Sequence, residues 1–464
     1  MTTRRWIAPM VALLVGACAY YNGLYNANHL AEEARRAERE GRTGEARSFW
    51  SRAAVKAESV TARYPRSKYR DDALLLHGMA LERLGICTQA VPSLRLASDS
   101  SPDLDIRMQS SLLLARCRLQ MQEPDSVMEA VAPVLAEGRP VDRAAALLLR
   151  GTAYLRLGND RAALEDLATS TAPQAVFPRA VALARLGRTA EAAAVLGAAA
   201  ARPIDETAWL STLDSVGRRA PEEAGGLVDR LAGRRDLSDG TRARLWVSDG
   251  ERWLAAADRE RAERRFRRAA EVAPDSAEGR SARAYLVMGA VRRARRATDV
   301  PVLFDSLSAA TRQGGPAIRI AGPYVTVLER GTAALAADSA DLALFLAAED
   351  VRDSLRAPEL AAALFAELSR RYPQSVLAPK ALLAQATLEP RRADSLVARV
   401  TTDYAESVYA LALLGQGLAA YEALEDSLRQ AARHPLERGP NRRPGEARPG
   451  RPADEGRRVR NERN

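Results

Sequence analysis

Residues 242–274 read RARLWVSDGERWLAAADRERAERRFRRAAEVAP, and the spacing of large and small side chains in this stretch decides the fold. Counting from Trp246, Gly250 follows at +4, Trp253 at +7, Ala262 at +16, Phe266 at +20, Ala269 at +23 and Pro274 at +28. Two antiparallel helices satisfy this order. Gly250 and Ala262 lack bulk where the helices would approach closely, and Trp246, Trp253 and Phe266 fill the space on either side. Pro274 cannot continue a helix and ends the second one.

This order resembles the tetratricopeptide repeat (TPR), a helix–turn–helix unit of about 34 residues. Six of the seven side-chain classes of that motif are present, and Asp249 stands where a Leu is usual. The resemblance implies an all-α, TPR-like helical-hairpin solenoid, a right-handed superhelix of stacked hairpins that presents a concave groove. Composition agrees. The 464 residues are 47% hydrophobic but only 5% aromatic, so Ala and Leu supply most of the apolar surface, and no sustained period-two alternation argues for strands.

Working outward, the pattern recurs. A pair over 27–65 has helices at about 27–40 and 45–63 around Gly41 and Gly44, and Ser67 offers an N-cap to the next helix. Residues 70–102 repeat the spacing through Leu74, Gly78, Leu81, Ala90, Leu94 and Ala97, and a third pair covers about 104–137. A fourth begins near Asp142 with Gly151, Tyr154, Gly158, Ala163 and Leu167, and a degenerate fifth completes an N-terminal array over 27–200. Residues 201–297 read as a central segment, irregular over 202–240, where Gly225-Gly226 and Gly233 punctuate it, and regular at the organising repeat. Residues 298–316 read as a linker, and 317–432 as a C-terminal array.

The corner Arg63-Tyr64-Pro65-Arg66-Ser67 returns as Arg371-Tyr372-Pro373-Gln374-Ser375 and, more weakly, as Asp403-Tyr404-Ala405-Glu406-Ser407. A Tyr-Pro-x-Ser corner ahead of an Ala/Leu-rich helix resembles TPR lipoproteins of the bacterial envelope. Two such families are the lipoprotein of the outer-membrane β-barrel assembly machine and the periplasmic coordinator of cell division.

The chain begins with Arg4 and Arg5, a short apolar run over 7–15, and Val15-Gly16-Ala17-Cys18. A basic start, a brief apolar core and small residues before a cut describe an export signal over 1–17, and the run is far short of the ~20 residues of a spanning helix. The end of this leader resembles a bacterial lipobox, which implies lipid on the Cys18 sulfur and cleavage before it. Ala19 in place of Asp implies, by the same resemblance, the periplasmic face of the outer membrane. Ordinary secretion with cleavage after Ala17 is the alternative. Residues 18–26 form an aromatic neck with Tyr20, Tyr21 and Tyr25.

The net charge of +10 is unevenly placed. The tail 433–464 holds ten Arg against five acids and the leader two Arg, so the body between them is only +3 and does not argue for nucleic acid. The Pro-, Gly- and Arg-rich tail has too little apolar surface to fold and reads as disordered. Lys56, Lys68 and Lys380 are the only lysines.

Chemistry is sparse. His29, His77 and His434 are scattered, and no metal-ligand spacing, phosphate loop or nucleophile turn is present, so neither catalytic residues, metal nor cofactor are expected. Cys87 and Cys117 fall in adjacent repeats. Two small buried thiols is the favoured reading and a disulfide the alternative. The clusters Arg264, Arg265, Arg267, Arg268 and Arg292, Arg293, Arg295, Arg296 read as solvated faces, with an acidic partner as the sharper reading.

The expected function is that of a non-catalytic, lipid-anchored periplasmic scaffold. Its partners are envelope proteins or peptide segments in the groove, and the membrane through Cys18. An envelope enzyme with a site in 202–240, or a tether between membrane and cell wall, are the competing readings.

Overall fold

A computed structural model describes the backbone of residues 7–203 and 205–433, and side chains of 23–203 and 205–431. The N-terminal six residues and the tail from His434, which the sequence reads as disordered, lie outside the described residues. Every regular element among the described residues is helical, and the chain is a TPR-like solenoid of hairpins. It divides at Pro274 and Asp275 into two compact units.

The first unit is seven hairpins. They are α1 (Ile7–Arg39) with α2 (Thr43–Arg63), α3 (Arg70–Leu84) with α4 (Cys87–Ser100), and α5 (Leu104–Gln120) with α6 (Asp125–Glu137). Then come α7 (Pro140–Arg156) with α8 (Asp160–Thr169), α9 (Val176–Arg185) with α10 (Thr189–Ala199), α11 (Glu206–Gly217) with α12 (Pro221–Ala232), and α13 (Asp239–Ala255) with α14 (Arg259–Val272). The first helices of successive hairpins touch along the unit, so each hairpin covers apolar surface its neighbour leaves bare.

A period of small residues sets the crossings. A Cβ added at Gly78 would lie 2.4 Å from Leu94, at Gly151 2.6 Å from Leu167, and at Gly250 2.5 Å from Phe266. In each case the bulky residue follows sixteen positions later, on the second helix of the same hairpin. Side-chain caps start several helices: Asp103, Asn159, Asp205, Ser238 and Asp258 each accept from a backbone N–H of the first turn.

The second unit holds α15 (Ala277–Arg293), α16 (Asp299–Thr311), α17 (Pro316–Ala336), α18 (Asp341–Asp353), α19 (Pro358–Arg371), α20 (Ala378–Leu388), α21 (Ala393–Asp403), α22 (Val408–Leu413) and α23 (Leu418–Arg433). Its core joins Val300, Leu307, Leu328, Phe345, Leu364, Phe365 and Leu377. Tyr372 of the second Tyr-Pro-x-Ser corner donates through its hydroxyl to the Ala337 carbonyl at 3.0 Å, clipping the corner back to the preceding turn.

Four expectations need correction. Residues 298–316 are not a linker: α16 occupies most of them, with Val300 and Leu307 fully buried. Residues 202–240 are not irregular, because α11 and α12 form a hairpin around Trp209, and Gly225 and Gly226 lie inside α12. The neck is no separate element, since α1 runs unbroken through residues 18–26 to Arg39. Ser67 does not cap α3, whose N-cap is Tyr69; Ser67 instead accepts from the Tyr69 N–H at 3.4 Å.

Candidate functional site

In the organising repeat, Trp246, Trp253, Ala262, Phe266 and Ala269 are all buried, Gly250 lies under the Phe266 ring, and Pro274 follows the end of α14. The one departure from the repeat pattern, Asp249, is completely buried and is the centre of a charge network. Its Oδ1 accepts from Arg252 Nη2 at 2.9 Å, and its Oδ2 lies 2.6 Å from Arg265 Nε, an ion-pair contact bent away from hydrogen-bond geometry. Arg265 continues to Asp229 on α12 with two hydrogen bonds of 2.8 and 3.1 Å. Its guanidinium and that of Arg268 also sit 4.8 and 4.9 Å from the Trp246 ring centre.

The first arginine cluster is therefore not a uniform solvated face. Arg264 and Arg267 are exposed, but Arg265 is largely buried. Each has a carboxylate partner: Arg264 pairs with Glu260, Arg267 with Glu263, Arg268 with Asp229, and the neighbouring Arg261 with Glu222. A cleft of about 370 Å³ between α12 and α14 is lined by these groups. Its lining holds four arginines, Arg261, Arg264, Arg265 and Arg268, against two carboxylates, Glu222 and Asp229. The second cluster is more exposed, with Arg293, Arg295 and Arg296 all at the surface. Arg292 donates to the Tyr324 hydroxyl at 2.7 Å, Arg295 makes a two-pronged pair with Glu359, and Arg296 pairs with Asp299.

Cys87 at the start of α4 and Cys117 on α5 are joined, Sγ to Sγ at 2.18 Å, where two separate thiols were the favoured reading. The bond links the second and third hairpins, and both residues are buried. Cys18 falls in α1, and its side chain lies outside those described. Among the described residues no group of His, Cys, Asp and Glu is placed to hold a metal ion, and His77 hydrogen-bonds Ser93 at 2.8 Å. No helix among them is long and apolar enough to cross a membrane.

The sequence reading missed the arrangement at the C-terminal end. Helix α23 lies against α20 and α22, both first helices of their hairpins. Glu425 on α23 accepts from Lys380 Nζ of α20 at 2.8 Å and from the Tyr409 hydroxyl of α22 at 2.8 Å. Tyr409 and Tyr421 pack edge to face at 5.9 Å, and Leu428 packs against the core cluster that contains Phe345 and Ala381. Lys380 Nζ also lies 5.1 Å from the Phe345 ring centre on α18. Burial would raise the Glu425 carboxyl, but Lys380 and Tyr409 outweigh it and hold the group below its ordinary range. Burial, then Glu425, pushes the Tyr409 hydroxyl upward. The available signal was thin: Lys380 is one of only three lysines, and the contact joins residues 45 positions apart.

No protein-family model matches this chain, and no curated protein matches it either. Solved structures do. A tetratricopeptide repeat protein from Parabacteroides merdae is 18% identical, with 53% of this chain and 93% of that one covered, at a TM-score of 0.37. A Rap protein complexed with competence and sporulation factor is 12% identical over 73% of this chain and all of that one, at 0.28. Yeast Tom70 is 14% identical over 89% and 97%, at 0.23.

Proposed function

We propose that this chain is a non-catalytic scaffold, lipid-anchored at Cys18 to the periplasmic face of a bacterial outer membrane, that docks helical segments of envelope proteins. The observation that carries the docking reading is α23. This terminal amphipathic helix, the hairpin partner of α22, also reaches the preceding first helix, held by side chains from α20 and α22. A face that seats one helix has the width and chemistry to seat another.

The envelope placement rests on the leader and on the bonded pair. A basic start, a short apolar run and a Cys after small residues support export and lipidation. A buried disulfide between Cys87 and Cys117 supports an oxidising compartment, since cytosolic thiols are kept reduced. The partners in this reading are assembly, secretion or division proteins of the envelope.

Two measurements test it. The chain with Cys18→Ser leaves the membrane fraction if lipid is the anchor; retention removes the anchoring reading. Affinity purification from detergent-solubilised membranes recovers envelope proteins in fixed ratio to the chain. Recovery of the chain alone from repeated preparations removes the scaffold reading.

A further inference from the structure

The attachment of α23 differs from that of a regular second helix. Helix α19 buries Leu360, Ala361, Ala362, Leu364, Phe365, Leu368 and Ser369. In α23 the one buried side chain among those described is a carboxylate, Glu425, which keeps about a tenth of its surface exposed. Tyr421, Leu424 and Leu428 flank it at helical spacing and are half-buried, while most of the rest of the helix faces solvent. Its hairpin partner α22 is only six residues long. The connection between them is bracketed by Gly415 and Gly417, both at positive φ, and Leu413, Leu414 and Leu418 around it are exposed. So α23 is joined to α22 by a glycine turn and held by one ionic contact set within a narrow apolar stripe.

The surface beneath has a definite chemistry. Phe345 and Lys380 stand side by side, Tyr409 presents a hydroxyl donor, and the nearby Glu349 carboxyl is pushed up by burial. A purely apolar occupant would leave the Lys380 ammonium and the Tyr409 hydroxyl covered and unmatched, which is costly. A second cation would be repelled by Lys380. The occupant that fits is an amphipathic helix with a carboxylate set among apolar residues, which is what α23 supplies.

We propose that the face of α18, α20 and α22 is the docking site for a partner helix of this kind, and that α23 is a resident ligand which covers the site until the partner replaces it. The proposal rests on the docking reading above and adds the partner's chemistry and the means of control. A docked partner places a Glu or Asp against Lys380 and Tyr409 and apolar residues where Tyr421, Leu424 and Leu428 now lie. Helix α23, released, swings on the Gly415–Gly417 connection.

The test uses the full chain and a fluorescein-labelled peptide of residues 417–433. The chain with Glu425→Lys, whose own helix is repelled by Lys380, is expected to bind the peptide at least tenfold more tightly than the wild-type chain. The chain with Lys380→Glu is expected to lose the peptide and to bind instead a peptide carrying Lys at the position of Glu425. In the double variant Lys380→Glu/Glu425→Lys the pair is restored in reverse, and hydrogen exchange of α23 is expected to return to the wild-type rate. Circular dichroism checks that each variant keeps its helix content. Equal peptide affinity for wild type and Glu425→Lys, binding indifferent to Lys380→Glu, or wild-type chains that pair by exchanging α23 would each overturn the proposal. Envelope proteins still recovered in fixed ratio by a chain that fails this peptide test would leave the scaffold reading standing and remove only the α23 site.

Discussion

Asp249 and Arg265 face each other across the α13–α14 hairpin at 2.6 Å, with the carboxylate wholly buried and the guanidinium largely so. In the repeat pattern the position of Asp249 belongs to a Leu, so matching the motif would seem a safe improvement. The network says otherwise. Leu at 249 would leave Arg252 and Arg265 charged and without their buried partner, and breaking a buried pair from one side costs about 3–5 kcal/mol. Asp249→Leu is therefore expected to lower unfolding stability by about 3 kcal/mol or more, read as a fall in the urea midpoint. Replacing Asp249, Arg252 and Arg265 together with apolar residues of similar volume is expected to recover most of that loss. A single Asp249→Leu chain as stable as wild type would show that the network contributes nothing.

Two helix glycines in adjacent hairpins divide by what surrounds them. At Gly250 a methyl group would lie 2.5 Å from Phe266 Cε1, whereas at Gly226, within α12, nothing lies within 4 Å. Gly250→Ala is expected to cost about 2 kcal/mol through overpacking. Gly226→Ala is expected to gain about 1 kcal/mol, the helix-propensity difference between the two residues. Thermal melts of the two variants should move in opposite directions, and a shared direction would mean that the α13–α14 register differs from the one described.

These residues also show what sequence could reveal. The repeat was legible because its signal is local: Gly78 and Leu94, Gly151 and Leu167, and Gly250 and Phe266 recur at one spacing within single hairpins. Gly225 misled because an isolated Gly pair resembles a turn, and only the structure shows Trp253 and Arg265 crowding its helix position. The 298–316 stretch misled because its apolar residues carry no repeat signature, although they bury well. The Lys380–Glu425 contact was illegible, and the disulfide could be raised only as an alternative, because each joins residues of different hairpins, whose mutual register is a tertiary fact. Asp249 and Arg265 share the sixteen-residue spacing of one hairpin, but the repeat pattern expects an apolar residue at 249 and offers no reason to pair them.

The Cys87–Cys117 bond closes a loop with a sequence separation of 30. Closure of a loop of that length restricts the unfolded chain by about 3.6 kcal/mol. Reduction under native conditions is expected to lower the stability of the first unit by about that amount and to leave the second unit unchanged. Before reduction neither sulfur should react with maleimide, and full labelling of both in untreated protein would exclude the bond.

The excess of arginine over lysine has a partial structural cause. Arg185, at the end of α9, donates from Nη1 to the Leu155 carbonyl at the end of α7, at 2.7 Å. Arg156 does the same to Leu119 one hairpin earlier, and Arg371 to Leu335 in the second unit. Each caps the open C-terminal carbonyls of the neighbouring hairpin, where a cation is favoured by the helix dipole. A guanidinium serves both this carbonyl and a carboxylate, as Arg185 does with Asp160, which a single ammonium does less well. Arg185→Met is expected to cost about 1 kcal/mol, and Arg185→Lys to recover less than half of it. Full recovery by Lys would mean that charge alone, without the fork, accounts for the choice.

The seating of α23 should depend on acid. Glu425 faces Lys380 from α20 and Tyr409 from α22, with Glu349 on α18 and Arg429 on its own helix nearby. Its folded-state pKa is lowered, so the stability it contributes is complete above the ordinary glutamate value of about 4.3 and is lost as pH falls through the lowered value. Tyr409 has the opposite sign. Its raised pKa contributes stability that is complete below the ordinary tyrosine value of about 10 and fades only as pH climbs beyond it. Between those limits α23 should stay seated. An environment-sensitive dye on a Ser427→Cys chain is expected to report release of the helix below the usual glutamate range. With Glu425→Gln added, that acid step should vanish, because the carboxylate that pairs with Lys380 and Tyr409 is gone. An acid step of the same midpoint in both chains would assign the release to another group and remove Glu425 as the anchor.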